Sequence, residues 1–225
     1  MIESSYHLLG GNLMETTKIS RKLLQRLPLY LKHLKALPES SDQISATAIA
    51  EALGLGHVQV RKDLAKVSVE GRCRTGRSRE QLIADIEKYL DFTSATSTIV
   101  VGTGKLGQAL MDYSGFEESG LNVMAGFDMN PTAKQTETGK PIYSLNRLET
   151  FCKCYDVRIG IIAVPAEYAQ SICDGLVACG VRAIWNFAPV RLRVPDHVAL
   201  QSENLTVSLS TLRMQLKSRE TVVQS

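Results

Sequence analysis

The chain is poor in the residues that build membrane anchors, metal sites and catalytic centres. No apolar run in its 225 residues approaches the roughly 18 needed to cross a bilayer, which argues against a membrane-spanning helix. The opening stretch, "MIESSYHLLGGNLMETT", lacks both the basic start and the long apolar core of a signal peptide. It reads as a disordered extension over residues 1–17, with Met14 as an alternative start, and the expected compartment is the cytoplasm. The five cysteines (Cys73, Cys152, Cys154, Cys173, Cys179) are odd in number and none forms a CxxC pair, so they read as reduced thiols and no metal site is expected. The four histidines (His7, His33, His57, His197) all fall away from predicted strand ends, where a hydride-transfer enzyme needs its acid or base. Tyr113 and Tyr168 sit on predicted helices, where a tyrosine reads as packing. No nucleophile elbow and no sequence repeat is present. Catalytic residues are therefore expected to be none.

What is present divides into two halves. Residues 1–90 hold 14 Lys and Arg against 10 Asp and Glu, whereas residues 91–225 hold 12 against 13. Within 61–79 alone there are 7 basic residues and 2 acidic ones, a concentration that an anionic polymer can use. Upstream, "RKLLQRLPLYLKHLKAL" places Leu23, Leu27, Leu31 and Leu34 at helical spacing. Pro28 interrupts this run, so the main helix is expected to start there, after a short turn. "PESSDQIS" reads as a loop in which Ser45 caps the helix "ATAIAEAL". "GLG" is then a tight turn, and "HVQVRKDLAKV" resumes helical periodicity: a helix-turn-helix layout. On its second helix Val60, Leu64 and Val67 face the core. Gln59, Lys62 and Lys66 share another face with Arg61 beside them, residue types suited to base edges and phosphates. "VSVEGRCRTGRSR" reads as two short strands around a glycine turn, a wing carrying Arg72, Arg74, Arg77 and Arg79. The amphipathic stretch "REQLIADIEKYLDF" follows, then a linker "TSATS".

From residue 97 the pattern becomes α/β. "STIVVG", "NVMAGFD", "VRIGIIAVP" and "VRAIWNFAP" alternate with the helical stretches "KLGQALMDY" and "AEYAQSICDGLVACG". Nearly continuous apolar strands separated by helices predict a parallel sheet covered on both faces, a Rossmann-type doubly wound domain. Gly102, Gly104 and Gly107, with Thr103, Lys105 and Leu106 between them, form a Gly-x-Gly-x-x-Gly behind the first strand. Such a loop turns tightly, lets backbone approach a pyrophosphate and aims helix amides at it. Asp128, 21 positions past Gly107, ends the next strand where an acid accepts adenosine ribose hydroxyls, which favours NAD over NADP. Val164 and Pro165, in "AVPA", lie at a later strand's carboxyl end, the ligand edge of an open parallel sheet. The tail "LTVSLSTLRMQLKSR" carries Leu205, Leu209, Leu212 and Leu216 as one helical stripe, suited to docking on its own domain or on a partner.

From about Lys18 to Leu216 the chain resembles the Rex family of redox-sensing transcriptional repressors, through "KIS", "RLPLYL", "QVRKDL", "GTGKLGQAL", "DYSGF", "FDMNP", "AVPAEYAQ" and "NFAPVRLRVPDHV" in order. The resemblance implies a homodimer with a winged-helix domain (18–92), an NAD(H)-sensing Rossmann-type domain (97–204) and a C-terminal dimerisation helix (205–219) swapped between subunits. It implies binding to double-stranded operator DNA and release by NADH. It further implies contacts with DNA for Gln59, Arg61 and Lys62, with pyrophosphate for residues 102–107, with the adenosine ribose for Asp128 and with the nicotinamide for Tyr113. Three departures stand out. After "QVRKDL" the family's Ser-Tyr-Phe-Gly is replaced by "AKVS", and the wing places Cys73 and Arg74 where an arginine and a glycine are usual. Lys32 follows "RLPLYL" in place of an arginine. Asn204 stands where an aspartate is usual, and in the family that arginine and aspartate help couple cofactor state to domain arrangement. An NAD-dependent oxidoreductase with an added helical domain, and a Rex-like DNA-binding protein with weakened redox response, are the alternatives.

Overall fold

The computed structural model describes residues 20–38, 41–68 and 77–223; the expected extension over 1–17, and Arg72, Cys73 and Arg74 of the expected wing, lie outside them. The chain forms two compact units, dividing between Asp91 and Phe92.

The first unit comprises helices α1 (Arg21–Ala36), α2 (Ala46–Leu53), α3 (His57–Val67) and α4 (Arg79–Tyr89) with two short strands, β1 (Gln43–Ile44) and β2 (Arg77–Ser78). Contrary to the sequence reading, α1 runs without interruption through Pro28. Leu23, Leu27, Tyr30, Leu31 and Leu34 form one buried stripe along it, and that burial offsets the roughly 3 kcal/mol cost of an internal proline. Pro28 lies on the exposed face, so the Leu24 carbonyl that loses its N–H partner is on the side that water reaches. Ser45 caps α2 as expected, its hydroxyl accepting from the Ala48 N–H at 3.0 Å. Gly54 ends α2 in the left-handed region (φ 64°), and the Leu55 N–H returns to the Ala50 carbonyl, which closes the turn into α3.

The segment read as a loop contains β1, which pairs antiparallel with β2 through Gln43 opposite Ser78 and Ile44 opposite Arg77. Two residues are too short to show a period in sequence. The first strand and turn of the expected wing lie outside the described residues. Arg79, read as part of the wing, instead donates to the Leu34 and Leu37 carbonyls at 3.4 and 3.1 Å and caps the C-terminus of α1.

The second unit is a six-stranded, all-parallel sheet in the order β5-β4-β3-β6-β7-β8. Its strands are β3 (Thr96–Val101), β4 (Leu121–Asp128), β5 (Ile142–Ser144), β6 (Ile159–Ile162), β7 (Ala183–Asn186) and β8 (Ala199–Ser202). Helices α5 (Lys105–Met111), α6 (Gly115–Glu118), α7 (Leu148–Cys154) and α8 (Ala166–Ala178) connect them, and α9 (Leu205–Val223) ends the chain. Strand alternation sorts the core into two layers. Ile99, Val101, Phe127, Ile162 and Ile184 point to the α7 and α8 side, with Leu148, Ala169, Cys173 and Leu176. Val100 and Ile161 point to the other, with Met111 and Phe116. Strands β5, three residues long, and β8, whose "ALQS" is half polar, are two that the sequence pattern does not predict. Helix α5 is two residues shorter than its pattern predicts: it stops at Met111, and Asp112 accepts hydroxyl hydrogen bonds from Thr136 and Thr138. Strand order reverses between β3 and β6, which leaves a crevice above their carboxyl ends.

Candidate cofactor cavity and nucleic-acid helix

The loops leaving β3 and β6 meet at that crevice. Gly102 adopts φ +95°, and a Cβ there would lie 2.5 Å from the Ala163 carbonyl oxygen. A Cβ at Gly107 would lie 1.8 Å from the Gly102 carbonyl oxygen, so α5 seats against the loop only with glycine at that position. Gly104 differs: its backbone is extended (φ −67°, ψ −171°) and nothing lies within 4 Å of a Cβ built on it. Neither strain nor the protein itself demands glycine there. The space that a side chain would fill is the space in front of the amide end of α5, where a pyrophosphate needs close approach.

A cavity of about 340 Å³ opens beside this loop, lined by Gly102, Gly104, Asp128, Val164 and Pro165 of the sequence prediction. Met129, Asn130, Leu145, Tyr168 and Ile172 also line it. Leu145 follows the unread strand β5, and Tyr168 was read as packing. Thr103 is turned inward, 3% exposed. Its N–H and hydroxyl donate to one Asp128 carboxylate oxygen at 2.7 and 3.2 Å, while the Asn130 N–H donates to the other at 2.9 Å. Partial burial pushes the Asp128 carboxyl up, but these donors outweigh it and hold it below the usual carboxylate range. The aspartate is thus ionised and fixed in orientation, with lone pairs left for ligand hydroxyls.

Lys105, Leu106, Gly107 and Tyr113 are not among the lining residues. Lys105 and Leu106 open α5 on its exposed face. Tyr113, 57% exposed, lies over Gly115, where a Cβ would meet its ring at 2.6 Å, and it packs edge-on against Phe116 with centroids 5.0 Å apart. "DYSGF" therefore presents an outward-facing phenol held from below.

In the first unit, Arg61, Lys62 and Lys66 are exposed on α3 while Val60 and Leu64 are buried, as the faces predict. Gln59 is exposed, but its amide donates to Asp63 at 2.8 Å. Asp63, which the sequence reading passed over, is 2% exposed. The Arg26 guanidinium grips its two oxygens at 2.6 and 2.9 Å, and the Tyr30 hydroxyl donates at 2.9 Å. Burial alone pushes Asp63 up; the Arg26, Tyr30 and Gln59 donors overcome it and hold the carboxyl below its ordinary value. Burial, then Asp63, pushes the Tyr30 phenol up to about 12. One carboxylate thus ties α3 to α1 and fixes the cationic face. Arg77 is half-buried in β2, where burial pushes its guanidinium down against the opposing influence of Asp85.

Lys32 is exposed on α1. The Asn204 side-chain oxygen accepts the Thr206 and Val207 N–H groups at 3.0 and 3.1 Å and so caps α9. Val207, Leu209, Leu212 and Leu216 of α9 are exposed. Among the described residues no group of three or more metal-ligating side chains occurs, and no helix is long and apolar enough to cross a membrane.

Two family models match the chain: a CoA binding domain over residues 93–190 and a putative DNA-binding protein N-terminus over residues 18–65. The chain is 38% identical to the redox-sensing transcriptional repressor Rex of Porphyromonas gingivalis, over 90% of this chain and 94% of that one. It is 36% identical to Rex of Bacteroides fragilis, over 92% and 94%. The crystal structure of RSP in complex with beta-NAD+ and operator DNA superposes with a TM-score of 0.83 at 33% identity, covering 93% of this chain and 97% of that one. RSP in complex with beta-NADH superposes with a TM-score of 0.76 at 32% identity, over 93% and 99%.

Proposed function

The chain belongs to the Rex family of redox-sensing transcriptional repressors, and on that premise we propose that it represses transcription by binding operator DNA and releases it when NADH replaces NAD⁺. The observation that carries the reading is the cavity at the strand-order reversal, where Gly104 leaves room for a pyrophosphate and an ionised Asp128 waits beside it. When bound, NAD(H) supplies a nicotinamide that is cationic when oxidised and neutral when reduced. The chain's residues bind and orient it: the 102–107 loop and the start of α5 take the pyrophosphate, Asp128 takes the adenosine ribose, and Tyr113 offers its exposed ring to the nicotinamide end. A carboxylate at that ribose disfavours the phosphates that NADP and coenzyme A carry on theirs. The titratable side chains that line the cavity are Asp128, assigned here to the ribose, and Tyr168; on this reading bound NADH should persist unchanged with candidate substrates, unlike the cofactor of an oxidoreductase.

Binding of NADH should therefore be tighter than that of NADPH, and Asp128→Ala should narrow the difference. Titration by nicotinamide fluorescence reads both; equal affinity of the parent for the two cofactors would remove Asp128 from this role.

On the DNA side, Arg61, Lys62 and Lys66 meet the operator from α3, with Arg72, Arg74 and Arg77 assigned to the wing. Gln59 serves α3 through Asp63 as well as any base it reaches. Arg61→Ala or Lys62→Ala should cost about 1–3 kcal/mol where the contact is to a base and relax sequence preference there. Gel shifts on matched operator variants test this, and unchanged affinity for both substitutions would exclude α3 as the reading helix. The exposed leucine stripe of α9 supports a homodimer in which that helix is swapped, and operator binding supports a cytoplasmic location. A second reading, a weakened redox response, is favoured by one observation. The Asn204 oxygen already accepts two N–H groups, which uses both its lone pairs. Asn204 is uncharged and Lys32 lacks the planar guanidinium fork, so these residue types do not offer the charge-assisted pair that the resemblance implies for the family, and the NADH effect should lie toward the small end of its range.

A further inference from the structure

The network that ties α3 to α1 also fixes one amide on the outer face of α3. Asp63 is 2% exposed. One of its oxygens accepts from the Arg26 Nε and the Tyr30 hydroxyl, at 2.6 and 2.9 Å. The other accepts from the Arg26 Nη2 at 2.9 Å and from the Gln59 amide at 2.8 Å. An ionised carboxylate only accepts, so Gln59 has to turn its NH2 group toward Asp63 and its carbonyl oxygen away. A free glutamine on a helix surface rotates its amide through half a turn and presents either end. Gln59 cannot do so without stripping a donor from a buried charge, and hydrogen bonds to charged groups are the stronger kind. Gln59 is itself exposed, at the third position of α3, the N-terminal part that a recognition helix sets against base edges.

We propose that Gln59 reads one base of the operator as adenine, with Asp63 as the positioning residue that denies it guanine. The inference rests on the reading above that α3 enters the major groove. In that groove adenine shows an N6 amino donor beside the N7 acceptor, guanine shows two acceptors, O6 and N7, and thymine shows the O4 acceptor. The outward oxygen of Gln59 takes the adenine amino hydrogen, and the amide hydrogen that Asp63 leaves over suits N7. Facing guanine, a freely rotating glutamine turns both amide hydrogens to O6 and N7, whereas the pinned one sets acceptor against acceptor. Cytosine, with an amino donor and no acceptor beside it, satisfies half of the pattern. Val58, one position earlier and 55% exposed, puts an apolar group on the same turn. That suits the methyl group of the thymine paired with adenine.

Selection of duplexes from a randomised pool by the full-length protein in NAD⁺ tests the assignment. Gln59→Met, similar in length but without the amide, should flatten one position of the selected half-site and no other, and in the parent that position should be an A·T pair. Replacing its adenine with purine, which lacks the amino group, should weaken the parent by about tenfold, within the span of a bidentate base contact. Gln59→Met should bind the two duplexes alike. Asp63→Asn, whose amide donates as well as accepts, should release Gln59 to rotate and so raise G·C against A·T at the same position, a change that loss of stability alone does not produce. A G·C pair at the position that Gln59 controls, a Gln59→Met profile identical to the parent's, or an unshifted preference in folded Asp63→Asn would overturn the proposal. A parent that binds NADH yet selects no sequence would overturn the DNA reading itself, and the proposal with it.

Discussion

Asp63→Ala should cost the N-terminal unit about 3 kcal/mol, the low end of the range for breaking a buried ion pair, because Arg26 keeps some contact with water. The carboxylate accepts from Arg26, Tyr30 and Gln59 at once. Its loss leaves a guanidinium and a buried phenol without their acceptor, and frees α3 from α1. Operator affinity should fall with stability, since α3 then presents its cations from an unfixed helix. NADH affinity should not change, because the cavity is built within the other unit. Trp185, the chain's one tryptophan, lies in that second unit, so far-UV dichroism should show an early transition that tryptophan fluorescence does not follow. The pH dependence has a definite sign. A carboxyl held below its ordinary value contributes fully above its unfolded pKa of about 3.9, and the contribution is lost as pH falls through the lower native value. Parent and variant should therefore differ by a constant amount from neutral pH to about pH 5 and converge in stronger acid. A gap that widened on acidification would show that the network does not hold an ionised Asp63.

Gly107→Ala and Gly104→Val should separate two reasons for glycine in one loop. At Gly107 the added carbon would fall 1.8 Å from the Gly102 carbonyl oxygen, which is backbone and has no side-chain freedom to yield. Helix α5 must move away, at about 3 kcal/mol on the scale of overpacked cores, lowering Tm and disordering the pyrophosphate loop together. NADH binding should weaken by about 100-fold or more, the equivalent of that energy. At Gly104 the added Cβ has no protein atom within 4 Å. The protein should keep its Tm, yet lose NADH affinity to a comparable extent, because the branched side chain occupies the pyrophosphate's place. Differential scanning fluorimetry and cofactor titration on both variants decide the matter; a Gly104→Val protein that binds NADH normally would place the pyrophosphate elsewhere.

Much of this was legible in sequence because it rests on local patterns. The β3 run, the glycine spacing and Asp128 are separated by distances that strand and helix geometry impose, and the helix-turn-helix shows in Ser45, Gly54 and the Val60/Leu64 face. What stayed hidden depends on contacts remote in sequence. Asp63 looks like one more charged residue in a basic helix until α1 brings Arg26 and Tyr30 to it. Arg79 reads as a wing cation until the C-terminus of α1 arrives above it. Pro28 reads as a break because its local cost is visible, whereas the buried stripe that outweighs it is a tertiary quantity. Strands β1, β5 and β8 are too short or too polar to carry a period, and with β5 unread the cavity's Leu145 could not be placed.

The central claim is that cofactor redox state sets operator affinity. It is tested most directly on a genomic fragment that the full-length protein captures in NAD⁺, with the dissociation constant measured in saturating NAD⁺ and again in saturating NADH at one salt concentration. Couplings of this kind amount to about 1–3 kcal/mol, so NADH should weaken operator binding by about 5- to 150-fold, toward the lower figure given Lys32 and Asn204. Equal affinity in the two cofactor states, with both cofactors shown to be bound, would contradict the account.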